Sequence, residues 1–365
     1  MNFLLISLMF LMWRGFDFLI IFFSQKIIPY LGFFPYRDQL LNFDLPSWIY
    51  ALANFDGLHY LSIARNGYAQ YEQAFFPLYP TLIKFLSPFF SGNQLLAGLV
   101  ISNVSFLIGL WIFYKYLKGL INQTPTTNFN KSPQISTIFL LLAFPTSFFF
   151  GAVYTEGLFF LLFVSVLYFL KRKNYLFVVV FAFLASLTRL VGVFLIIPII
   201  FHWLELSFPP PIGVEGRLRR ESKYSWIPSF EGMTPKLILT LLAPILGLFI
   251  YCLYLWQTTG DPFFFVTSQP IFGANRSSNL ILLPQVYWRY FKIFITAAHD
   301  PRFYVSIVEF LIFNFVFIVL ILDLYQILLS FPRKRESRFL WIPVFTGMTS
   351  QWNRLSLNLF SFSNL

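Results

Sequence analysis

A 365-residue chain that is 58% hydrophobic and 11% charged, with mean hydropathy +0.69, is not built like a water-soluble domain, where charged residues make up about a quarter. Fifty-one phenylalanines exceed what one soluble core buries, so the composition indicates a polytopic membrane protein. The net charge of +11 does not imply nucleic-acid affinity, because basic residues in such proteins commonly mark cytoplasmic loops.

The first apolar stretch, 4–23, carries Arg14 and Asp17 and follows no basic n-region. With no small-residue cleavage site either, it reads as a retained first span, not a removed signal peptide. Arg14 and Asp17 stand three apart on one helix and are expected to neutralise each other.

Next comes "NFDGLHYLSIARNGYAQYEQAFFPLYP", residues 54–80, polar and aromatic between apolar flanks. Asp56 there could act as a general base, accept a hydroxyl, or cap the helix that "GLHYLSIA" predicts. His59 and Tyr60 follow one turn later; His59 could orient Asp56, bind a phosphate, or pack among the aromatics. "AFFPLYP" suits the headgroup depth of a bilayer, and its two prolines keep it from being a regular span.

Further candidate spans are 95–117, 136–151, 156–170, 174–188, 190–204, 237–256 and 304–330, about eight in all. The four middle ones are short. Pro145 with "GAVYTEG", and then "SLTRLVG", favour breaks rather than two long helices. Asp261-Pro262 predicts a turn leading into an aromatic surface helix. Cys252 is the single cysteine, which excludes an intrachain disulfide.

Charge placement sets the expected sidedness. With eight spans and the N-terminus inside, sixteen basic residues, among them Lys171, Arg172 and Lys173, collect on one side, and eight, including Arg65, on the other. The richer side is then cytoplasmic. The 54–80 loop, "VYTEG", Arg189 and "TTGDPFFF" all face the opposite, extracytoplasmic side, as a site assembled at the membrane surface would.

Residues 220–234 and 335–349, "RESKYSWIPSFEGMT" and "RESRFLWIPVFTGMT", agree at ten of fifteen positions. Two copies so far apart do not make a structural array. The stretch resembles the translated product of a dispersed genomic repeat; the alternative is a duplicated lipid-surface motif. The expected organisation is one membrane domain, 1–330, interrupted by a cytoplasmic insertion at 206–236, followed by a repeat-derived tail, 331–365. No Asp-x-Asp triplet, Walker or Rossmann glycine pattern occurs, and the three histidines are far apart, so no metal is expected.

"NFDGLHYLSIARNGY" followed by "AFFPLYP" resembles the first large lumenal loop of the PIG-V family, the mannosyltransferases that add the second mannose of GPI anchors. "FPTSFFFGAVYTEGLFFLL", "FAFLASLTRLVGV" and "TGDPFFFVTSQ" are similar to later segments in the same order, across residues 50–290. The resemblance implies a GT-C fold: an all-α, polytopic transmembrane bundle with surface helices in its first extracytoplasmic loop. It also implies a multi-pass enzyme that takes a sugar from a polyprenyl-phosphate donor, with no other cofactor, and transfers it with inversion to a lipid-linked glycan or protein acceptor. Asp56 would be catalytic. Arg189, with Arg65 and His59 as helpers, would neutralise the departing phosphate, or Arg189 would pair with Glu156. Tyr60, Tyr154, Glu156 and Asp261 would be further substrate contacts. The expected location is a bacterial inner membrane with the active face outside, or the endoplasmic reticulum membrane. A lipid or solute transporter and a non-catalytic subunit on the same scaffold are the alternatives.

Overall fold

The computed structural model describes residues 2–27, 37–121, 133–207, 235–272 and 281–330, and every regular element among them is helical. Both repeat copies, most of 206–236 and the tail 331–365 lie outside the described residues. Those described group into two compact units, 2–207 with 235–272, and 281–330.

In the first unit α1 (Asn2–Ile27) is followed by three short helices, α2 (Arg37–Leu40), α3 (Asp56–Asn66) and α4 (Leu78–Leu86). Then come α5 (Gln94–Ile121), α6 (Pro133–Leu142), α7 (Glu156–Lys171), α8 (Tyr175–Thr188), α9 (Ile196–Ser207) and α10 (Pro235–Thr259). The single turns α11 (Phe264–Thr267) and α12 (Gln269–Phe272) close the unit. The second unit holds α13 (Leu283–Thr296) and α14 (Pro301–Ser330).

Four stretches are long and apolar enough to cross a bilayer: Phe3–Ile27, Gln94–Leu120, Pro235–Thr259 and Phe303–Leu322. At about 1.5 Å per residue, helices of that length reach ~30 Å or more, the thickness of the hydrocarbon core. The middle helices are shorter, and the chain breaks where expected. Pro145 cannot continue a helix, so α6 stops at Leu142, and a 3₁₀ turn, Ser147–Gly151, leads to α7. The expected span 136–151 is therefore a helix of ten residues, reaching about 15 Å, plus a turn. After α8, Arg189 is extended (φ −154°, ψ 148°), and a second 3₁₀ segment, Leu190–Leu195, precedes α9. "AFFPLYP" likewise makes no span: Pro77 caps the nine-residue α4.

α7 packs between α5 and α8, and α8 packs on α10. Glycines let these backbones touch. A Cβ on Gly157 would stand 2.6 Å from the Ser102 carbonyl oxygen of α5, and one on Gly247 of α10 would stand 2.5 Å from that of Phe183 in α8. Tyr79, Leu61, Ile83, Leu95 and Val153 are among the residues buried at the junction of the short helices with this bundle. Leu4, Leu8 and Leu11 on α1 are exposed, as an outer face meeting lipid tails requires.

The helix ends sort by chemistry. Around the C-terminus of α7, Lys171 lies against Gly119, the Tyr175 hydroxyl is 3.4 Å from His202 Nε2, and Trp203 Nε1–H donates to Thr240 Oγ1 at 3.1 Å. Glu156 stands at the opposite end of α7, roughly 23 Å away by helix rise. In the second unit, Tyr287 and Tyr290 of α13 donate hydroxyl hydrogen bonds to Asn314 (2.6 Å) and Glu309 (3.2 Å) of α14. Glu309 and Asn314, within that apolar helix, thus have partners, which a polar group in lipid needs.

Candidate functional site

The site begins with a strained turn. Phe55, immediately before α3, has φ 55° and ψ −116°, a backbone conformation that suits glycine and costs a bulky residue of order 1–3 kcal/mol. Its side chain is 65% exposed. Phe55 holds the capping position and offers no side-chain bond, so Asp56 is the first helical residue rather than the cap. A carboxylate is favoured there by the positive end of the helix dipole. Asp56 is half-buried, and its carboxylate makes no hydrogen bond or ion pair with a described residue.

A second strand of backbone stitches this turn to the segment between α6 and α7. Val153 N–H donates to the Leu52 carbonyl at 2.8 Å, and Val153 is wholly buried. The Tyr154 hydroxyl donates to the Asn54 carbonyl at 2.9 Å. Behind it, the same segment is tied to α5 and α1. Ser102 donates to the Tyr154 carbonyl at 3.1 Å, while Asn103 and the buried Arg14 both donate to the Gly151 carbonyl, at 2.9 and 2.7 Å. Arg14 also meets Asp17 at 3.4 Å, the expected pairing, and Trp13 donates to Ser147 at 3.0 Å. α1 thus fixes the turn that presents Tyr154 and Glu156.

Glu156 opens α7 and pairs with Arg189, which leaves α8 in extended conformation. The Arg189 side chain keeps 39% of its surface exposed. Glu156 Oε2 is buried without a hydrogen-bond partner, an acceptor open to a further donor. Tyr60, one turn along α3 from Asp56, reaches the same place: Thr155, Asp56, Glu156 and Arg189 all act on its hydroxyl electrostatically. Burial, with the two carboxylates adding to it, pushes the Tyr60 phenol well above its ordinary range, so it stays protonated. Burial does the same to Tyr154, again reinforced by Asp56 and Glu156.

Five of the expected residues, Asp56, Tyr60, Tyr154, Glu156 and Arg189, therefore converge. The other three do not join them. His59 Nδ1 is 2.9 Å from Glu72 Oε1, and its ring stacks on Phe75 at 4.8 Å. Glu72 is 6% exposed, and its second oxygen accepts Ala69 N–H at 3.0 Å, so the pair pins the loop after α3. Arg65 is exposed and lies nine residues beyond Asp56, two and a half helical turns, hence on the opposite face. Asp261 accepts Phe263 N–H at 2.8 Å and the Thr267 hydroxyl at 2.5 Å, which makes it the clasp of α11.

Sequence reasoning passed over Thr155, Glu72 and the backbone of 54–55. Glu72 in "YAQYEQA" carried one available signal, an acid thirteen residues after a histidine in a loop. Among the described residues, no three His, Cys, Asp or Glu side chains are grouped closely enough to hold a metal ion.

A helical chain with four stretches able to span a bilayer and a polar cluster gathered at one end of its first unit is an all-α membrane protein. Residues 37–211, just under half of the chain, match the family model described as Mannosyltransferase (PIG-V), the family that the sequence resembles. All five converging residues fall within the match; it ends at 211, so Asp261 and "TGDPFFF" lie beyond it. No curated protein and no solved structure matches the chain.

Proposed function

We propose that the chain transfers mannose from a polyprenyl-phosphate donor to a hydroxyl of a lipid-linked glycan or protein acceptor, on the extracytoplasmic face and with inversion. The observation that carries this reading is the convergence, within the family-matched stretch, of Asp56 with the Glu156–Arg189 pair and Tyr60 at one end of the bundle. A carboxylate free of protein partners and a half-exposed guanidinium are the two groups that such a displacement needs.

In the step, the acceptor oxygen attacks the anomeric carbon, the bond from that carbon to the phosphate oxygen breaks, and the acceptor proton passes to Asp56. The lipid phosphate leaves as an anion. It is already acidic, so it needs charge neutralisation more than a proton, and Arg189 supplies this through charge-assisted hydrogen bonds. A β-linked donor then yields an α-mannoside. Glu156 holds Arg189 and leaves Oε2 to accept a sugar hydroxyl. The protonated Tyr60 lines the floor of the site. The sidedness rests on charge placement and is supported by the sorting of Lys118, Lys171 and Lys236 to the helix ends away from Glu156.

The test is a transfer assay with purified protein and polyprenyl-phosphate mannose, comparing wild type with Asp56→Asn. Loss of a positioned general base lowers the rate by about 10²–10⁴-fold. Transfer by wild type, lost to that extent in a variant with an unchanged melting profile, supports the reading. Wild-type protein that binds the donor without transferring sugar points instead to a carrier or a non-catalytic subunit.

A further inference from the structure

We infer that Tyr154 is a positioning residue for Asp56, acting on the backbone and not as a sugar ligand; this rests on the catalytic reading of Asp56 given above. Its hydroxyl reaches across to the peptide group that precedes Phe55 and donates to the Asn54 carbonyl at 2.9 Å. Phe55 has φ 55°, a conformation that a phenylalanine leaves unless its surroundings hold it. The phenol therefore ties down the Asn54 side of the strained turn, and so helps fix where the Asp56 carboxylate points.

The tyrosine is itself well held. Its carbonyl accepts Ser102 Oγ–H at 3.1 Å, and Ser102 Oγ lies 2.7 Å from the Tyr79 hydroxyl, which also donates to the Gly98 carbonyl. Its ring meets Phe149 edge-on with centroids 5.0 Å apart. The hydroxyl's proton is thus directed at backbone, which leaves it unable to donate to a sugar while the turn is held. The bridge crosses a sequence separation of a hundred residues and joins the first loop to the segment that opens α7 with Glu156. It therefore sets the position of the base relative to the Glu156–Arg189 pair, and a base displaced by about 1 Å costs on the order of a hundredfold in rate.

Tyr154→Phe keeps the ring and removes only the bridge. The expected result is a fall of kcat of about 10–100-fold with donor and acceptor KM unchanged, together with faster amide exchange in a peptide covering 54–58. A tyrosine that binds sugar gives the opposite split, a raised KM with kcat near normal, and overturns the inference. So does an unchanged exchange rate at 54–58. If Asp56→Asn is inactive while Tyr154→Phe has full kcat, the role of Tyr154 alone is wrong. If Asp56→Asn transfers at the wild-type rate, the catalytic reading of Asp56 falls first and the purpose given to Tyr154 falls with it.

Discussion

Arg189 shows what a charge at the edge of an apolar run can do. It follows "FAFLASLT", where a cation without a partner is costly, and the chain gives it both an acid, Glu156, and exposure at the bundle end. A lysine retains the charge but not the planar fork that grips a carboxylate and a phosphate together. Arg189→Lys is therefore expected to raise the donor KM about tenfold, which corresponds to ~1.4 kcal/mol, with a smaller effect on the acceptor. Equal losses for donor and acceptor in a steady-state assay contradict a phosphate role. Arg189 was legible as a candidate from its cost within an apolar run, Asp56 from its polar loop and Glu156 from the resemblance, and their gathering on one face and the Arg189–Glu156 pair were expected as well. The nearness of Tyr60 to all three was not, since it depends on how residues far apart in the chain pack. Thr155 and the Asn54 carbonyl were invisible for the same reason: a short hydroxyl and a backbone oxygen acquire a role only through what packs beside them. Arg65 was separable in principle, because nine residues on one helix put it on the far face.

The elements follow from apolar length, proline and glycine. Unbroken apolar runs gave α1, α5, α10 and α14 close to their predicted bounds, and Pro145 ended α6 as proline geometry requires. The α5–α7 crossing was less legible. Gly157 follows Glu156 directly, and its closeness to the Phe150 and Ser102 carbonyls explains why no side chain stands there. Gly157→Val forces the two helices apart, and overpacking of this kind typically costs 1–3 kcal/mol. A thermal midpoint lowered by several degrees in detergent is expected, with transfer reduced because Glu156 shifts with the helix. An unchanged midpoint contradicts the close crossing. The aromatic packing around the 68–76 loop has a structural purpose as well: Tyr68 and Tyr251 donate to the Phe75 and Gln73 carbonyls at 2.7 and 2.6 Å, fastening the loop to itself and to α10.

For the whole molecule, all five converging residues lie within 37–211, and the family match stops inside the segment read as an insertion. Sidedness joins these levels, because an extracytoplasmic donor demands that the first loop face away from the cytoplasm. Cys252 is the single cysteine, so Cys252→Ser gives a clean background for labelling. In sealed, oriented membranes, a cysteine placed at Gln70, exposed in the loop after α3, is expected to react with a membrane-impermeant maleimide from the extracytoplasmic side. One placed at Arg172, at the far end of α7, is expected to react only once the membrane is opened. Labelling of both positions from the same side contradicts the account.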